Sequence, residues 1–430
     1  MVKHVYSLVC FAVLVAGAVS CRNNCSGSGW IERPDAFHNR YALEEMVVLS
    51  RHNIRSPLSS SGSVLSRVTP HTWFEWTSAP AELSVKGGKL ETLMGRFFKD
   101  WLQDEGLLNC NKTPGEGAVR IYANSMQRTK ATAAFFSNAM FPHAGIEPET
   151  HYPLGTMDPV FNPVTAGADE AFCAEALSQI ASLGGADGMA GVGAVVSRQM
   201  NLLEKTIDII ESPAAANDTT AFKTDDVSIT IREGEEPRMQ GGLKLARAAS
   251  EALILQYYEE TSDLAAGFGH YLDFDDWVDI ASVTGWYQDV LFTTPAIARN
   301  AARPLLKEIQ NELGLAGRKF SFLCGHDSNI GTVLSALDCE DYCAPYAIET
   351  RTPIGGKVVF EKWRGKDGVE YVDILLVYAS ACQIRGESAL TLNAPPVAIP
   401  LRLKGLPANR DGLYTLQDLQ KRIDSIVKLK

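Results

Sequence analysis

The residues with the clearest chemical potential are a histidine between two arginines. Arg51 and His52 stand almost directly after the apolar run Met46–Leu49, and a second arginine, Arg55, follows three positions after the histidine. Two of the four apolar residues are β-branched, which predicts a buried strand, and Pro57 stops any regular element afterwards. Ligands of open parallel sheets bind outside the carboxyl ends of the strands. The pattern therefore indicates an anion site with a reactive imidazole.

Two further groups of polar residues follow predicted strands in the same way. Segment 119–123 predicts a strand, and Arg128 lies near the start of the next helix, where backbone N–H groups favour anions. Segment 319–324 predicts another strand, which is followed by His326 and Asp327. Three such strand ends can converge on one crevice. Taken singly, each group has a simpler interpretation, since an arginine is often solvated and a His-Asp pair is often structural.

A phosphate monoester fits this set of side chains. Its non-bridging oxygens need several cationic donors, and a planar guanidinium donates to them at two points. A neutral imidazole in line with the leaving oxygen can accept the phosphoryl group, and we expect His52 to be this nucleophile. Asp327, with a raised pKa, would protonate the leaving alkoxide and then act as a base toward water. The expected substrate-binding donors are Arg51, Arg55, Arg128 and His326.

Composition and length limit the fold and the partners. The chain has 430 residues, of which 46% are hydrophobic, and this is enough for a large core. Its formal net charge of −11 argues against general nucleic-acid binding. Strand patterns followed by helical ones predict an α/β core, which we assign to residues 43–149 and 295–430. Residues 150–294, with Gly/Ala-rich helical stretches and polar loops, predict a mainly α-helical insert.

The N-terminus predicts export. One lysine precedes an apolar run, residues 5–19, that is too short for a spanning helix, so we interpret residues 1–20 as a signal peptide. The sequence Ala-Val-Ser-Cys that ends at Cys21 resembles a bacterial lipoprotein cleavage box, although alanine stands where leucine is usual. Cys21 is thus a candidate for lipidation, and plain signal cleavage nearby is the alternative. Residues 21–42 would be a tether, and the expected location is the periplasm or an outer membrane that holds the anchor.

The cysteines give little support for a metal site. Of nine cysteines, seven remain apart from positions 10 and 21, so at least one is unpaired in an exported chain. Cys324 lies in a predicted strand and is expected to be a core residue. No pair of C-x-x-C motifs occurs, and Cys339 and Cys343 have no histidine nearby. We predict neither a metal nor another cofactor.

The motifs resemble those of one known family. The segment Arg51-His52-Asn53-Ile54-Arg55-Ser56-Pro57 resembles the Arg-His-Gly-x-Arg-x-Pro signature of the histidine acid phosphatases, and His326-Asp327 resembles their distal His-Asp motif. Asn53 stands where the family usually has glycine, a departure shared with the bacterial periplasmic glucose-1-phosphatases. Other stretches resemble the same subgroup: Tyr122–Thr129, Gly155–Pro159, Phe161–Val164, Leu255–Glu259, Gly325–Ile330 and Arg351–Lys357.

The resemblance implies a phosphohistidine mechanism without a metal and an acidic pH optimum. It also implies the fold of the histidine phosphatases and phosphoglycerate mutases, a mostly parallel central sheet flanked by helices with an inserted α-helical domain. The six residues assigned above match the family's catalytic set. In the subgroup, an acidic residue of the insert overhangs the pocket and restricts bulky substrates, and Glu236 resembles it. From the sequence alone, Glu236 would be an exposed loop acid.

The leading hypothesis is an exported acid phosphatase that acts on sugar phosphates such as glucose 1-phosphate. A phytase, which removes phosphates from inositol hexakisphosphate, is the alternative within the family, because either substrate needs a cationic pocket. A hypothesis of another class is an anchored protein that binds sugar phosphates without turnover. The presence of both His52 and Asp327 argues against pure capture. The expected partner is a small phosphate monoester, and the oligomeric state stays open.

Overall fold

A computed structural model describes residues 29–59 and 64–428 of the chain. The strands predicted at the three polar groups are present: the second has the predicted bounds and the third is shifted by one residue, whereas the first begins five residues before the predicted apolar run and ends two residues after it. The strands in the described part are β1 (Tyr41–Arg51), β2 (Val119–Ala123), β3 (Ser228–Thr230), β4 (Arg238–Gln240), β5 (Phe320–Gly325), β6 (Lys357–Gly365), β7 (Glu370–Tyr378), β8 (Val397–Pro400) and β9 (Tyr414–Thr415).

Helices cover much of the rest of the described chain. Side chains cap several of them; for example, the Thr415 hydroxyl accepts from the backbone N–H of Asp418. The α-helices are α1 (Asp35–His38), α2 (Val85–Asp104), α3 (Gln127–Met140), α4 (Glu170–Leu183), α5 (Ser197–Thr206), α6 (Gly242–Glu259), α7 (Asp263–Ala266), α8 (Phe274–Gln288), α9 (Pro295–Ala301), α10 (Arg303–Leu313), α11 (Asp327–Ala336), α12 (Ala381–Arg385) and α13 (Leu416–Val427).

The main sheet is mixed. Its strand order is β2-β5-β1-β6-β7-β8, and β9 pairs with β7. The three strands that lead to the predicted polar groups, β2, β5 and β1, run parallel, whereas β6, β7, β8 and β9 join through antiparallel pairs. The predicted fold class, an α/β fold with mostly parallel core strands flanked by helices, is confirmed.

Alternating residues of β1 pack into two hydrophobic cores, one on each face of the sheet. Met46 and Val48 belong to one hydrophobic cluster, and Val47 and Leu49 belong to the other. This follows from the two-residue period of a strand. On the first face, α2 and α3 pack over the sheet, and the ring of Phe136 stacks on that of Phe322 with centroids 4.2 Å apart. Burial on both faces holds the end of β1 in a fixed position, which a precise site requires.

The region 150–294 contains the helices α4 to α8 and the β3-β4 hairpin, and a π-helical turn, Asp289–Thr293, directly follows α8. Residues of α6 and α8 share the hydrophobic cluster of α2 and α3. The helical character of this stretch agrees with the expectation, while its division from the core as a separate insert stays a prediction. No helix in the described ranges combines the length and apolar character needed to cross a membrane.

The predicted tether needs a correction, because residues 29–42 pack against the core. The ring of Trp30 lies edge-on to Phe97 and Trp101, with centroids 5.0 and 4.9 Å away. Arg33 forms ion pairs with two buried acids of the sheet, Glu361 and Asp373. The tether prediction is therefore wrong from residue 29 onward. The predicted signal peptide, Cys21 and the rest of the tether lie outside the described residues.

Candidate active site

The carboxyl ends of β1, β2 and β5 meet at one edge of the sheet. Arg51 is in register with Gly325, and Ala123 is in register with Cys324, which is buried as predicted. Two backbone bonds continue the register past the strands: the N–H of His52 donates to Gly325 O at 3.0 Å, and that of Asn124 donates to Cys324 O at 3.0 Å. The expected convergence of the three polar groups is confirmed.

His52 is buried at the centre of this edge, and its ring centroid lies 5.5 Å from that of His326. Its Nδ1 lies 2.9 Å from the carbonyl oxygen of Asn53. A carbonyl can only accept, so Nδ1 carries the proton and the lone pair of a neutral imidazole resides on Nε2. Burial and the positive charges of Arg128 and Arg55 lower the pKa of His52 well below its usual value. The imidazole therefore stays neutral in acid.

His326 is also held as a neutral ring. Its Nε2 lies 2.7 Å from Nδ2 of Asn124, and the amide orientation is fixed because Asn124 Oδ1 accepts from the N–H of Asp158 at 3.0 Å. Two donors thus face the ring, the Asn124 amide at Nε2 and Nη2 of Arg128 at Nδ1, 3.4 Å away. A neutral imidazole accepts at one nitrogen only, and the shorter contact assigns the lone pair to Nε2 and the proton to Nδ1. Burial and Arg128 lower the pKa of His326 to about 3. An N–H donor is therefore available for an anion.

The three predicted arginines differ in how far carboxylates neutralise them. Nη1 of Arg51 contacts Glu349 at 3.1 Å, and Nη2 of Arg55 contacts Glu251 at 2.6 Å. Arg128 forms no ion pair within 4 Å among the described residues. Burial and the neighbouring Arg55 lower the pKa of Arg128 to about 10, which still leaves it charged at acid and neutral pH. Arg128 is thus the arginine most ready to bind an added anion.

Asp327 begins α11, as expected, but its acidity does not match the expectation. Its Oδ2 accepts from Nε2 of Gln288 at 2.6 Å and lies 3.4 Å from Nη2 of Arg51. Burial alone would raise the pKa of Asp327, but Arg51 and His326 outweigh burial and hold it well below its usual range. The predicted raised pKa is therefore wrong for the protein without ligand, in which this carboxyl is ionised.

Glu236 lies in the loop before β4 and is half-buried rather than exposed. Burial raises the pKa of its carboxyl, Arg238 and Arg128 lower it in part, and the charge of Asp327 raises it further. The expected position of Glu236 over the pocket and its role in restricting bulky substrates stay predictions.

Four residues of the site were not predicted from the sequence: Gln288, Glu251, Glu349 and Asn124. Glu251 accepts from Arg55 and from Arg247 through the same oxygen, at 2.6 and 2.7 Å. Glu251 lies on the buried face of α6, far from Arg55 in the sequence, so spacing could not connect the two. One feature of the sequence does indicate a buried, paired charge here: Glu251 is a charged residue within the apolar stretch 249–255 of that helix. Within the described ranges, no group of three or more His, Cys, Asp or Glu could hold a metal ion.

Comparison with known proteins identifies the class. The chain matches the histidine phosphatase superfamily (branch 2) over residues 42–377 and belongs to that superfamily. It is 35% identical over 423 residues to a glucose-1-phosphatase of Salmonella typhimurium, a match that covers 97% of each chain. It is 27% identical to phytase AppA of Escherichia coli over 392 residues, or 87% of this chain and 89% of the relative.

Solved structures give the same result. The phytase of Hafnia alvei in its apo form is 25% identical and superposes with a TM-score of 0.83, over 92% of this chain and 98% of that one. The same phytase in complex with myo-inositol hexakis sulphate gives a TM-score of 0.81 at 26% identity. The protein is a histidine acid phosphatase, an enzyme that hydrolyses phosphate esters.

Proposed function

We propose that the enzyme hydrolyses phosphate monoesters through a phosphohistidine at Nε2 of His52. The observation that carries this proposal is the contact of Nδ1 with the Asn53 carbonyl, which leaves the Nε2 lone pair free in a ring that stays neutral in acid. The N–P bond forms as the bond from phosphorus to the leaving oxygen breaks. Arg51, Arg55 and Arg128, with the Nδ1–H of His326, bind the non-bridging oxygens and stabilise their charge.

The proton for the leaving group is best supplied through Asp327. Its carboxyl is ionised in the free enzyme because Arg51 and His326 lower its pKa. A bound phosphate engages Arg51 and the Nδ1–H of His326 and adds negative charge, so the pKa of Asp327 rises when substrate binds. In acid, a phosphate monoester carries one proton, since its second pKa is about 6. That proton can pass to Asp327 and then to the leaving alkoxide, after which Asp327 deprotonates the water that cleaves the N–P bond.

A common intermediate can be tested by partition between water and an added alcohol. Different phosphate monoesters that form the same phosphoenzyme must give the same ratio of alkyl phosphate to inorganic phosphate. We expect one ratio for glucose 1-phosphate and for an aryl phosphate at a fixed alcohol concentration. A ratio that changes with the leaving group would contradict the covalent mechanism.

The charge balance favours a singly phosphorylated substrate. Carboxylates neutralise most of the arginines at the site: Arg51 pairs with Asp327 and Glu349, and Arg55 and Arg247 pair with Glu251. Such a site has little surplus positive charge for an inositol carrying six phosphates, whereas one phosphoryl group needs only the local arginines. We therefore propose a sugar phosphate such as glucose 1-phosphate as the substrate. The 97% coverage of the Salmonella glucose-1-phosphatase supports this choice.

The phytase alternative rests on the similarity to phytase AppA and to the Hafnia alvei enzyme. The rates on glucose 1-phosphate and on inositol hexakisphosphate, compared at the same acid pH, separate the two substrates. We expect glucose 1-phosphate to be the better substrate and Glu236→Gln to raise the relative rate on inositol hexakisphosphate, because the variant removes a negative charge near Arg128. A higher rate on inositol hexakisphosphate in the wild type would refute the sugar phosphate assignment. A non-catalytic binding protein has no support in a chain that belongs to this enzyme family.

We further propose that the chain is exported and that a lipid is attached at Cys21, with plain signal cleavage as the alternative. The apolar run 5–19 and the small residues before Cys21 support this reading. Metabolic labelling with a radioactive fatty acid tests the anchor. We expect label in the wild type and none in Cys21→Ser, which should be released by osmotic shock. An unlabelled wild-type protein that is released in the same way would contradict lipidation and leave export standing.

A further inference from the structure

A buried ion pair lies beneath the loop that carries His52. Glu91 of α2 and Lys357, the first residue of β6, are 2.7 Å apart, and both side chains are fully buried. Two charges lose much hydration energy when they are buried, and apolar residues often replace such a pair without loss of stability. Stability is therefore a poor reason for this pair, and its neighbours suggest a different one.

The Lys357 ammonium makes one ion pair and two hydrogen bonds. Besides Glu91, Nζ donates to Oγ of Ser50 at 3.2 Å and to the carbonyl of Gly355 at 3.0 Å. The faces of Phe136 and Phe322 lie 5.5 and 5.6 Å from Nζ and close the remaining sides. The two hydrogen bonds and the two aromatic rings confine the ammonium, and its charge attracts Oε1 of Glu91 at 2.7 Å.

The second oxygen of Glu91 holds Asn53. Oε2 accepts from Nδ2 of Asn53 at 2.8 Å, while Oδ1 of the same amide accepts from the N–H of Ile54 at 2.9 Å. The backbone N–H of Asn53 donates to Oγ1 of Thr132 at 3.2 Å. The peptide unit of Asn53 is thus tied to α2 and α3. Its carbonyl is the acceptor of the Nδ1 proton of His52.

Gly355 leaves the space for this arrangement. It has a φ of +64°, and a Cβ at this position would lie 2.6 Å from Nδ2 of Asn53. Its N–H also lies 3.3 Å from the carbonyl of His52. Any other residue here would be strained at this φ and would push the Asn53 amide aside, so the loop after β1 and the loop before β6 depend on each other for their packing.

We propose that Lys357 and Glu91 are positioning residues that act through Asn53 on the nucleophile. They fix the Asn53 carbonyl, this carbonyl fixes the proton on Nδ1 of His52, and Nε2 is thereby presented to the phosphorus. The inference rests on the proposed role of His52 as the nucleophile. The inference also gives the side chain of Asn53 a function. Glycine, which the family usually has at this position, could make none of the hydrogen bonds of this side chain.

The experiment compares wild type, Asn53→Gly and Glu91→Gln. Asn53→Gly keeps the carbonyl and removes only the side chain, and Glu91→Gln keeps the volume and removes the charge. We expect kcat on glucose 1-phosphate to fall by about 10- to 100-fold, as for other outer hydrogen-bond partners of functional histidines, with little change in KM. Nitrogen NMR of histidine-labelled protein, assigned with His52→Gln, should show both ring tautomers of His52 in the variants and one in the wild type.

Glu45→Gln is the matched control. Glu45 is a buried glutamate of β1 that pairs with Lys362 at 2.7 Å, as Glu91 pairs with Lys357, but it lies seven residues before His52 and does not contact Asn53. We expect Glu45→Gln to keep the wild-type kcat and the single tautomer, whatever its effect on thermal unfolding.

Three outcomes would contradict the inference. The first is an unchanged kcat and a single tautomer in Asn53→Gly, and the second is a higher KM with an unchanged kcat in the variants. The third is a loss of kcat in Glu45→Gln as large as that in Glu91→Gln. If Glu91→Gln does not fold, Asn53→Gly decides, because it leaves the ion pair in place. Failure of the proposed function is distinguishable, since it would appear as the absence of phosphohistidine in the wild type itself.

Discussion

His326 should make the protein less stable as the pH falls, and His326→Asn should remove this dependence. The ring is buried, and burial together with Arg128 lowers its pKa from 6.5 to about 3. Between these two pH values the unfolded chain binds a proton at this position and the folded chain does not. Stability therefore rises with pH in this window and is lost as the pH falls through it.

The size of the effect follows from the shift. One pKa unit corresponds to about 1.4 kcal/mol, so a fall of about two pH units within the window should cost the wild type roughly 2 to 3 kcal/mol through His326 alone. His52 adds a contribution of the same sign, because its pKa is also lowered. His326→Asn keeps a polar side chain that cannot titrate, so the His52 contribution remains and the His326 contribution disappears.

Urea unfolding at about pH 6 and about pH 4 measures this difference. Both proteins should lose stability when the pH falls from about 6 to about 4. The loss in the free energy of unfolding should be smaller in His326→Asn than in the wild type, by roughly 2 to 3 kcal/mol. Any constant cost of the substitution cancels in this comparison. His143→Asn, which changes an exposed histidine, should keep the wild-type dependence. Equal pH dependence in His326→Asn and the wild type would refute the neutral, buried imidazole.

Three further substitutions test other parts of the account. Gln288→Leu removes a hydrogen bond to the ionised carboxyl of Asp327, so the pKa of Asp327 should rise. The limb of the pH–rate profile that Asp327 controls should move up by about half to one pH unit. An unmoved profile would argue against Asp327 as the titrating group. Glu251→Gln removes the negative charge that faces Arg55 and Arg247, and the free energy of unfolding in denaturant should fall by about 3 to 5 kcal/mol. An unchanged free energy of unfolding would show that these ion pairs are solvated. Arg33→Ala should destabilise the fold by a few kcal/mol with kcat unchanged, and wild-type stability would mean that its contact with Glu361 is not formed in solution.

Local patterns predicted the parts of the fold that depend on local physics. β1 and β5 each contain a short apolar run near the end of the strand, and charged or glycine residues follow it. The convergence of the strand ends follows from parallel pairing, which the sequence also indicates. The segment 29–42 was misjudged because the residues that hold it to the core, among them Trp30, Arg33 and Phe37, contact partners that lie far along the chain.

The electrostatic details of the site could not be predicted in the same way. Asp327 has a lowered pKa because Arg51 reaches it from another strand and Gln288 from another helix. The partner of Arg55, Glu251, is 196 residues away in the chain. Sequence patterns identify which side chains can act, but the protonation of each depends on neighbours that only the folded chain supplies.

The most direct test of the central claim is to locate the phosphate on the enzyme. Substrate labelled with radioactive phosphate is mixed with the enzyme, and the reaction is quenched within one turnover in alkaline denaturant, because a phosphorus–nitrogen bond survives in alkali. The labelled peptide is then sequenced by mass spectrometry. We predict phosphate on His52, faster labelling in the wild type than in Asn53→Gly, and no label in His52→Ala. Label on His326, or undiminished label in His52→Ala, would contradict the assignment of His52 as the nucleophile.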